Sequence, residues 1–261
     1  MIPLKDQEIL RQKFEAELAG QVKIDFFTQR ELSIFVPGRQ ECQYCKPTQD
    51  MLKELAALSD KLSLRTHLIE EEREEARKYG VTRIPAIVLR GKSGRPLIFF
   101  GFPAGTEFPS FIESIIDVST ATSLLSAESK KKLAELKSDV RLQVFVTPTC
   151  PHCPRMARLA YHLALESEHI RAEVTEIGEF PDLAERYQVR AVPLTIISTD
   201  GIDKIALPGA VLEQVLIEQV LKAAGVSVAI ADDIRGESSP ASVPPSQEQA
   251  GQRRSGGLII P

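Results

Sequence analysis

Val144-Phe145-Val146-Thr147-Pro148-Thr149-Cys150-Pro151-His152-Cys153 is the stretch that decides how this chain folds. Leu142, Val144 and Val146 keep the two-residue period of a strand, and apolar residues also lie between them. A run of that kind predicts a strand buried on both faces. Thr147-Pro148-Thr149 is a turn. From Pro151 to Glu166 the period changes, with Met156, Leu159, Ala160, Leu163 and Ala164 at helical spacing. A pair of thiols thus sits where a strand hands over to a helix.

The same device occurs earlier, as Cys42-Gln43-Tyr44-Cys45, 108 positions upstream. These two pairs hold all four cysteines. At the same offset Ala76 matches Ala184, Tyr79 matches Tyr187, Val81 matches Val189, Pro85 matches Pro193 and Gly101 matches Gly209. Ungapped identities in one register point to a duplicated chain. Upstream of the cysteines the register slips: Ile34-Phe35-Val36 reads as the first-half strand, with a loop two residues longer, Pro37 to Glu41.

Each half is expected to alternate strands and helices. In the second half these are strands Ile170–Ile177, Leu194–Ser198 and Ile202–Leu207, with helices Pro181–Tyr187 and Ala210–Ala224. Asp200-Gly201 is a hairpin signal. In the first half they are helix Tyr44–Leu58, strand Leu62–Ile69, helix Glu71–Tyr79, strands Ala86–Leu89 and Pro96–Phe100, and helix Phe108–Val118. Further helices precede each half, near Lys5–Leu18 and Glu128–Leu136, and Val22–Phe26 reads as one additional strand. The fold class is α/β: two tandem units, residues 1–121 and 122–228, each a mixed central sheet flanked by helices. Residues 235–261 are rich in Ser, Pro, Gly and Gln, and are expected to form a disordered tail.

The 261 residues suffice for two such domains. A net charge of −4 gives no basic face for nucleic acid. No apolar run approaches the roughly 20 residues of a membrane span. The polar N-terminus lacks the core of a signal peptide. The expected compartment is the cytoplasm, where a Cys-x-x-Cys is catalytic or metal-binding more often than a structural staple.

Thiol chemistry needs the thiolate, and a helix N-terminus stabilises that anion. Cys42 and Cys150, at the mouths of their helices, are the expected nucleophiles. Cys45 and Cys153 lie one turn on, placed to resolve a mixed disulfide. Pro151 suits a first helical turn. His152 offers a hydrogen bond or a charge to Cys150, whereas Gln43 and Tyr44 offer no such cation. Pro85 and Pro193 each follow the first cysteine of their half by 43 positions and open a β-rich run. Each therefore starts a strand or is cis.

These residues resemble the thioredoxin superfamily: a Cys-x-x-Cys at a strand–helix junction, then Ile84-Pro85 or Val192-Pro193. Two such units look like the tandem protein disulfide oxidoreductases, or glutaredoxin-like proteins, of thermophilic archaea and bacteria. The resemblance runs from about Gln7 to Ala224. It implies that Pro85 and Pro193 are cis and face the cysteines. It also implies that Ile84 and Val192 bind the client backbone, that no metal or organic cofactor is needed, and that a flavoprotein reductase supplies electrons. Client proteins bearing disulfides or dithiols are the expected partners. Thioredoxins proper carry a buried acid six residues before the first cysteine. Val36 and Val144 stand at those positions here, as in the glutaredoxin-like branch. Glu173 and Glu176 are weak substitutes for that acid.

Three alternatives compete with this reading. Zinc would need both pairs in one site, yet 104 residues separate Cys45 from Cys150. A non-catalytic binding or chaperone module would not need both cysteine pairs. A dedicated electron donor to a peroxidase keeps the chemistry and narrows the client. Because Pro-His favours the thiolate more than Gln-Tyr, the second site is expected to have the less negative potential. Redox titration of each site, with the other pair changed to serine, tests that order; equal or reversed potentials contradict it.

Overall fold

The computed structural model describes residues 2–31 and 41–226. Its centre is an eight-stranded mixed sheet, ordered β2-β1-β3-β4-β6-β5-β7-β8. The first four strands are β1 (Val22–Thr28), β2 (Leu62–Leu68), β3 (Ala86–Arg90) and β4 (Leu97–Phe100). The second four are β5 (Val140–Val146), β6 (Ile170–Glu176), β7 (Leu194–Thr199) and β8 (Ile202–Pro208). In each set the first strand pairs parallel with the second and antiparallel with the third. The fourth then pairs antiparallel with the third. The sets join where β4 runs parallel to β6, with Ile98 opposite Glu173 and Phe100 opposite Thr175.

The helices are α1 (Leu4–Glu17), α2 (Cys45–Ala56), α3 (Arg73–Lys78), α4 (Glu107–Thr120), α5 (Ala127–Leu133), α6 (Cys153–Glu166), α7 (Pro181–Arg186) and α8 (Glu213–Ala223). A 3₁₀ turn, Ile177–Glu179, follows β6. One face of the sheet carries a core fed by α1, α2, α4, α5, α6 and α8, which runs through both units. A smaller core on the other face gathers Phe27, Tyr79, Phe145 and Leu183 beside α3 and α7. Alternation explains the division. In β5, Val140, Leu142, Val144 and Val146 enter the larger core while Phe145 enters the smaller. Strands covered on both sides read as nearly unbroken apolar runs.

The strand of the first half is not where the sequence placed it. Val22–Thr28 is not an additional strand but the counterpart of β5, since it pairs with β2 and β3 as β5 pairs with β6 and β7. Ile34–Val36 lies outside the described residues, as does the expected tail. Val146 precedes Cys150 by four positions, whereas Thr28 precedes Cys42 by fourteen. The insertion is therefore larger than two residues, and it contains a triplet with the composition of a strand. The last helix begins at Glu213, three residues later than expected, because Gly209 at φ 76° donates its N–H to Pro193. The Asp200-Gly201 hairpin has both residues at positive φ, 54° and 73°, as the short turn demands. The expected boundary at 121/122 falls just after α4, where Ala121 is left-handed.

Packing between the units is specific. Arg158 on α6 makes a forked ion pair with Asp117 on α4, Nη2 to Oδ2 at 2.8 Å. The Tyr161 hydroxyl donates to the carbonyl of Ile98 at 2.7 Å.

A second polar cluster lies wholly in the first unit. His67, fully buried, places Nε2 2.9 Å from Asp25 Oδ1 and Nδ1 2.8 Å from Glu72 Oε2. Arg90 binds the other oxygen of Asp25 through Nε at 2.9 Å. The Phe27 ring stacks on the imidazole at 4.6 Å. The hydrogen bond from His67 holds the Glu72 carboxyl below its usual 4.5. That contribution to stability is present above the unfolded value and is lost as pH falls through the folded one. Asp25→Asn leaves Arg90 and His67 without their shared carboxylate and is expected to cost about 3 kcal/mol. Urea titration would show a lower midpoint, and an unchanged midpoint contradicts this reading.

Candidate functional site

Strand β5 ends at Val146 in the core, and the turn after it delivers Cys150 to the N-terminus of α6. In the first half, Cys42 stands in the same relation to α2. Each pair is closed as a disulfide, with Cα atoms 5.4 Å apart at Cys42–Cys45 and 5.5 Å apart at Cys150–Cys153. The second cysteine opens the helix, so its backbone N–H is one of the donors without a partner inside the helix. At the second site that donor is aimed at the first sulfur: Cys153 N lies 3.2 Å from Cys150 Sγ. The arrangement lowers the cost of negative charge on that sulfur.

The prolines complete both sites. Ile84–Pro85 and Val192–Pro193 are cis, and each proline immediately precedes a strand, β3 or β7. The carbonyl of Val192 is 3.7 Å from Cys150 Sγ. Ile84 and Pro85 line one cavity with Cys42, Gln43 and Tyr44. The Pro85 carbonyl accepts from Gly101 at 2.9 Å and the Pro193 carbonyl from Gly209 at 2.7 Å, so the duplicated glycines serve the same purpose in both halves.

One detail differs from expectation. Helix α6 starts at Cys153 with His152 as its cap, so Pro154 takes the first-turn position and Pro151 lies in the turn ahead. His152 is exposed and makes no hydrogen bond to Cys150 in the disulfide form.

Each site is walled by the other half. At the second site, Thr106 donates its N–H to Pro148 O at 2.8 Å and its hydroxyl to Cys150 O at 2.9 Å. Ser110 reaches Pro154 O at 3.3 Å. Gly105 permits this approach, because a Cβ there would lie 2.2 Å from Pro148 O. Cys150 is consequently only 8% exposed and Cys153 is fully buried. The first site opens instead into a cavity of about 920 Å³, whose far wall is Gly178–Asp182 of the second half.

Sequence reasoning missed one residue. Glu107 opens α4 between Thr106 and Ser110, which bond the carbonyls of Cys150 and Pro154. It is 1% exposed, its Oε1 has no hydrogen-bond partner, and burial pushes its carboxyl up to about 7. No motif near the cysteines marks it, because it comes from the other half. The two acids suggested by sequence are occupied: Glu173 by Arg141 and Arg171, each at 2.6 Å, and Glu176 by the N–H groups of Gly178 and Glu179. By strand register the first-half equivalent of Val144 is Phe26, which is also apolar. Among the described residues no cluster of His, Cys, Asp and Glu is arranged to hold a metal, and no helix is long and apolar enough to cross a membrane.

Comparison with known proteins agrees with this geometry. The structure of a protein disulfide oxidoreductase from Aeropyrum pernix superposes with a TM-score of 0.73 at 26% identity, covering 86% of this chain and 95% of that one. The NTD_N/C domain of alkylhydroperoxide reductase AhpF from Enterococcus faecalis gives 0.72 at 25% identity, covering 84% of this chain and all of that one. The F subunit of alkyl hydroperoxide reductase from Xanthomonas campestris is 25% identical over 155 residues, 59% of this chain. The chain spans only 28% of that relative's length. The thioredoxin domain family model matches residues 31–107 and again 140–222, more than half of the sequence. The chain therefore belongs to the thioredoxin domain family, as two tandem thioredoxin-fold units that each carry a Cys-x-x-Cys pair.

Proposed function

We propose that this chain catalyses dithiol–disulfide exchange on protein clients, with both Cys-x-x-Cys pairs active. The observation that carries the reading is the repeated arrangement of a cysteine pair at a helix N-terminus beside a cis proline. In the reducing direction the Cys42 or Cys150 thiolate attacks a client disulfide. A mixed disulfide forms and one client thiolate leaves. Cys45 or Cys153 then attacks the enzyme sulfur of that bond and releases the second client thiol. The client gains two electrons and two protons, and the enzyme pair becomes a disulfide. The reverse direction oxidises dithiols, and two sites on one chain permit isomerisation. Ile84 and Val192 offer the client backbone its hydrogen bonds, while Gln43, Tyr44, Pro151 and His152 tune the potentials. No metal or organic cofactor takes part.

Cys153 is buried, so its proton needs an acceptor inside the protein. Glu107, from the opposite unit, is the proposed acceptor: it follows Thr106, which bonds the Cys150 carbonyl, its Oε1 is unpartnered, and burial raises its carboxyl to about 7. A flavoprotein reductase of the thioredoxin-reductase kind is the proposed source of electrons. The cytoplasm, where thiols are kept reduced, is the compartment that suits this chemistry. The units act as domains of residues 1–121 and 122–228. A narrower reading, electron donation to a hydroperoxide-reducing partner, is favoured by the similarity to alkyl hydroperoxide reductase AhpF.

Insulin reduction with dithiothreitol tests the activity. Cys42→Ser or Cys150→Ser alone is expected to leave turnover at the remaining site. The double variant is expected to fall at least about 100-fold, to background. Undiminished turnover in the double variant contradicts the reading, and no turnover in the parent chain favours a binding module. Glu107→Gln is expected to remove an inflection near pH 7 from the Cys150-site rate and leave the Cys42 site unaltered. The same variant has a stability signature. The folded pKa of Glu107 is raised, so the folded state loses stability as pH climbs from the unfolded value through about 7. Glu107→Gln is therefore expected to be more stable than the parent by roughly 2–3 kcal/mol at pH 8, with the gap closing toward pH 5. A constant gap across that range contradicts the assignment.

A further inference from the structure

We propose that Thr106 is a positioning residue for the Cys150–Cys153 pair, through which the first unit sets the thiolate pKa and the redox potential of the second unit's site. This rests on the redox reading of Cys150 given above.

Thr106 stands at the N-cap of α4, yet its side chain makes no hydrogen bond to that helix. A threonine at such a position ordinarily accepts from an N–H of the first turn. Here the hydroxyl is turned to the opposite unit instead. It lies 2.9 Å from the Cys150 carbonyl and 3.1 Å from the Pro148 carbonyl. The Thr106 N–H already serves Pro148 O at 2.8 Å, so the single hydroxyl proton is free for Cys150 O. Gly105 holds φ at 58°, and a Cβ there would lie 2.2 Å from Pro148 O, so glycine is what lets the two backbones come this close. One turn along α4, Ser110 donates to Pro154 O at 3.3 Å. The start of one first-unit helix thus straps the Cys-x-x-Cys loop on both sides of its cysteines. At the offset of 108 that relates the halves, Glu213 and Gln214 stand where Gly105 and Thr106 do, so the strap was not duplicated with the sites.

The strap reaches the sulfur in two ways. Cys153 N lies 3.2 Å from Cys150 Sγ, and that N–H stabilises a thiolate only while the loop keeps its turn. The Cys150 carbonyl oxygen also carries partial negative charge in the same residue as the sulfur, and the Thr106 hydroxyl offsets it. Cys150 is only 8% exposed, so water screens neither effect well. Both favour the thiolate, and therefore the dithiol over the disulfide.

The test uses the full chain with Cys42→Ser and Cys45→Ser, so that only Cys150 and Cys153 respond. Thr106→Val removes the hydroxyl and keeps the backbone N–H. Thiolate formation at Cys150, followed by ultraviolet absorbance against pH, is expected to move about one unit higher. The equilibrium with glutathione is expected to shift about fivefold toward the disulfide, roughly 20 mV more negative for a two-electron couple. Thr106→Ser keeps the hydroxyl and is expected to stay close to the parent on both readouts. Gly105→Ala, checked for folding by urea titration, is expected to shift both in the same direction as valine. Thr106→Val placed in the Glu107→Gln chain is expected to show the same shift, which separates the strap from the proton chemistry of the neighbouring carboxyl. In the chain with Cys150→Ser and Cys153→Ser, Thr106→Val is expected to leave the Cys42 site unaltered. An unchanged Cys150 pKa or an unchanged potential in Thr106→Val overturns the positioning role alone. So does an equal shift at both sites, or a serine variant that shifts as far as valine. A parent chain whose Cys150–Cys153 pair neither titrates nor reduces insulin overturns the redox reading and the inference with it.

Discussion

Parallel pairing between β4 and β6 is the constraint on which this molecule depends. It involves few residues, Ile98 to Phe100 against Glu173 to Thr175. It nevertheless turns two four-stranded sheets into one. Once the strands are joined, α4 must lie against α6, and the loops at the seam must lie against the cysteines of the opposite unit. Thr106 on the Cys150 loop and Gly178–Asp182 in the wall of the Cys42 cavity both follow from that pairing. A buried seam also explains why Tyr161 spends its hydroxyl on a carbonyl of the neighbouring unit.

Duplication produced two sites of the same plan, and the seam made them unequal. The seam is not symmetric: β4 of the first unit meets β6 of the second, while β2 and β8 remain as outer edges. The second site is consequently pressed by the start of α4 and keeps its sulfurs covered. The first site faces a cavity instead. Two acids at the seam, buried Glu107 on α4 and half-buried Glu179 in the wall of the Cys42 cavity, are raised toward neutrality by loss of water.

That origin decides what could be read from the sequence. The strand, turn and helix around Cys150 were legible because they are contiguous and their periodicities change within a few residues. The second-half hairpin was legible from Asp200-Gly201, and the two prolines from their equal spacing to the cysteines. The first-half strand was misplaced. Ile34-Phe35-Val36, outside the described residues, has the composition of a strand close to Cys42, while the counterpart of β5, Val22–Thr28, carries an acidic Asp25 that masks its burial. Asp25 is tolerated there because His67 and Arg90, distant in sequence, meet it. Glu107 and Glu179 had no local signature at all. Their importance comes from the fused sheet, and pairing between units is not encoded in any one stretch.

The central claim is that Cys42 and Cys150 are both nucleophiles toward client disulfides, each resolved by its partner. It is tested most directly by trapping. The full chain with Cys45→Ser and Cys153→Ser should be reduced, mixed with insulin and analysed by mass spectrometry of the intact adducts and their peptides. Two mixed disulfides per chain are predicted, one at Cys42 and one at Cys150. A chain that forms no adduct, or forms one at a single cysteine, would contradict the account.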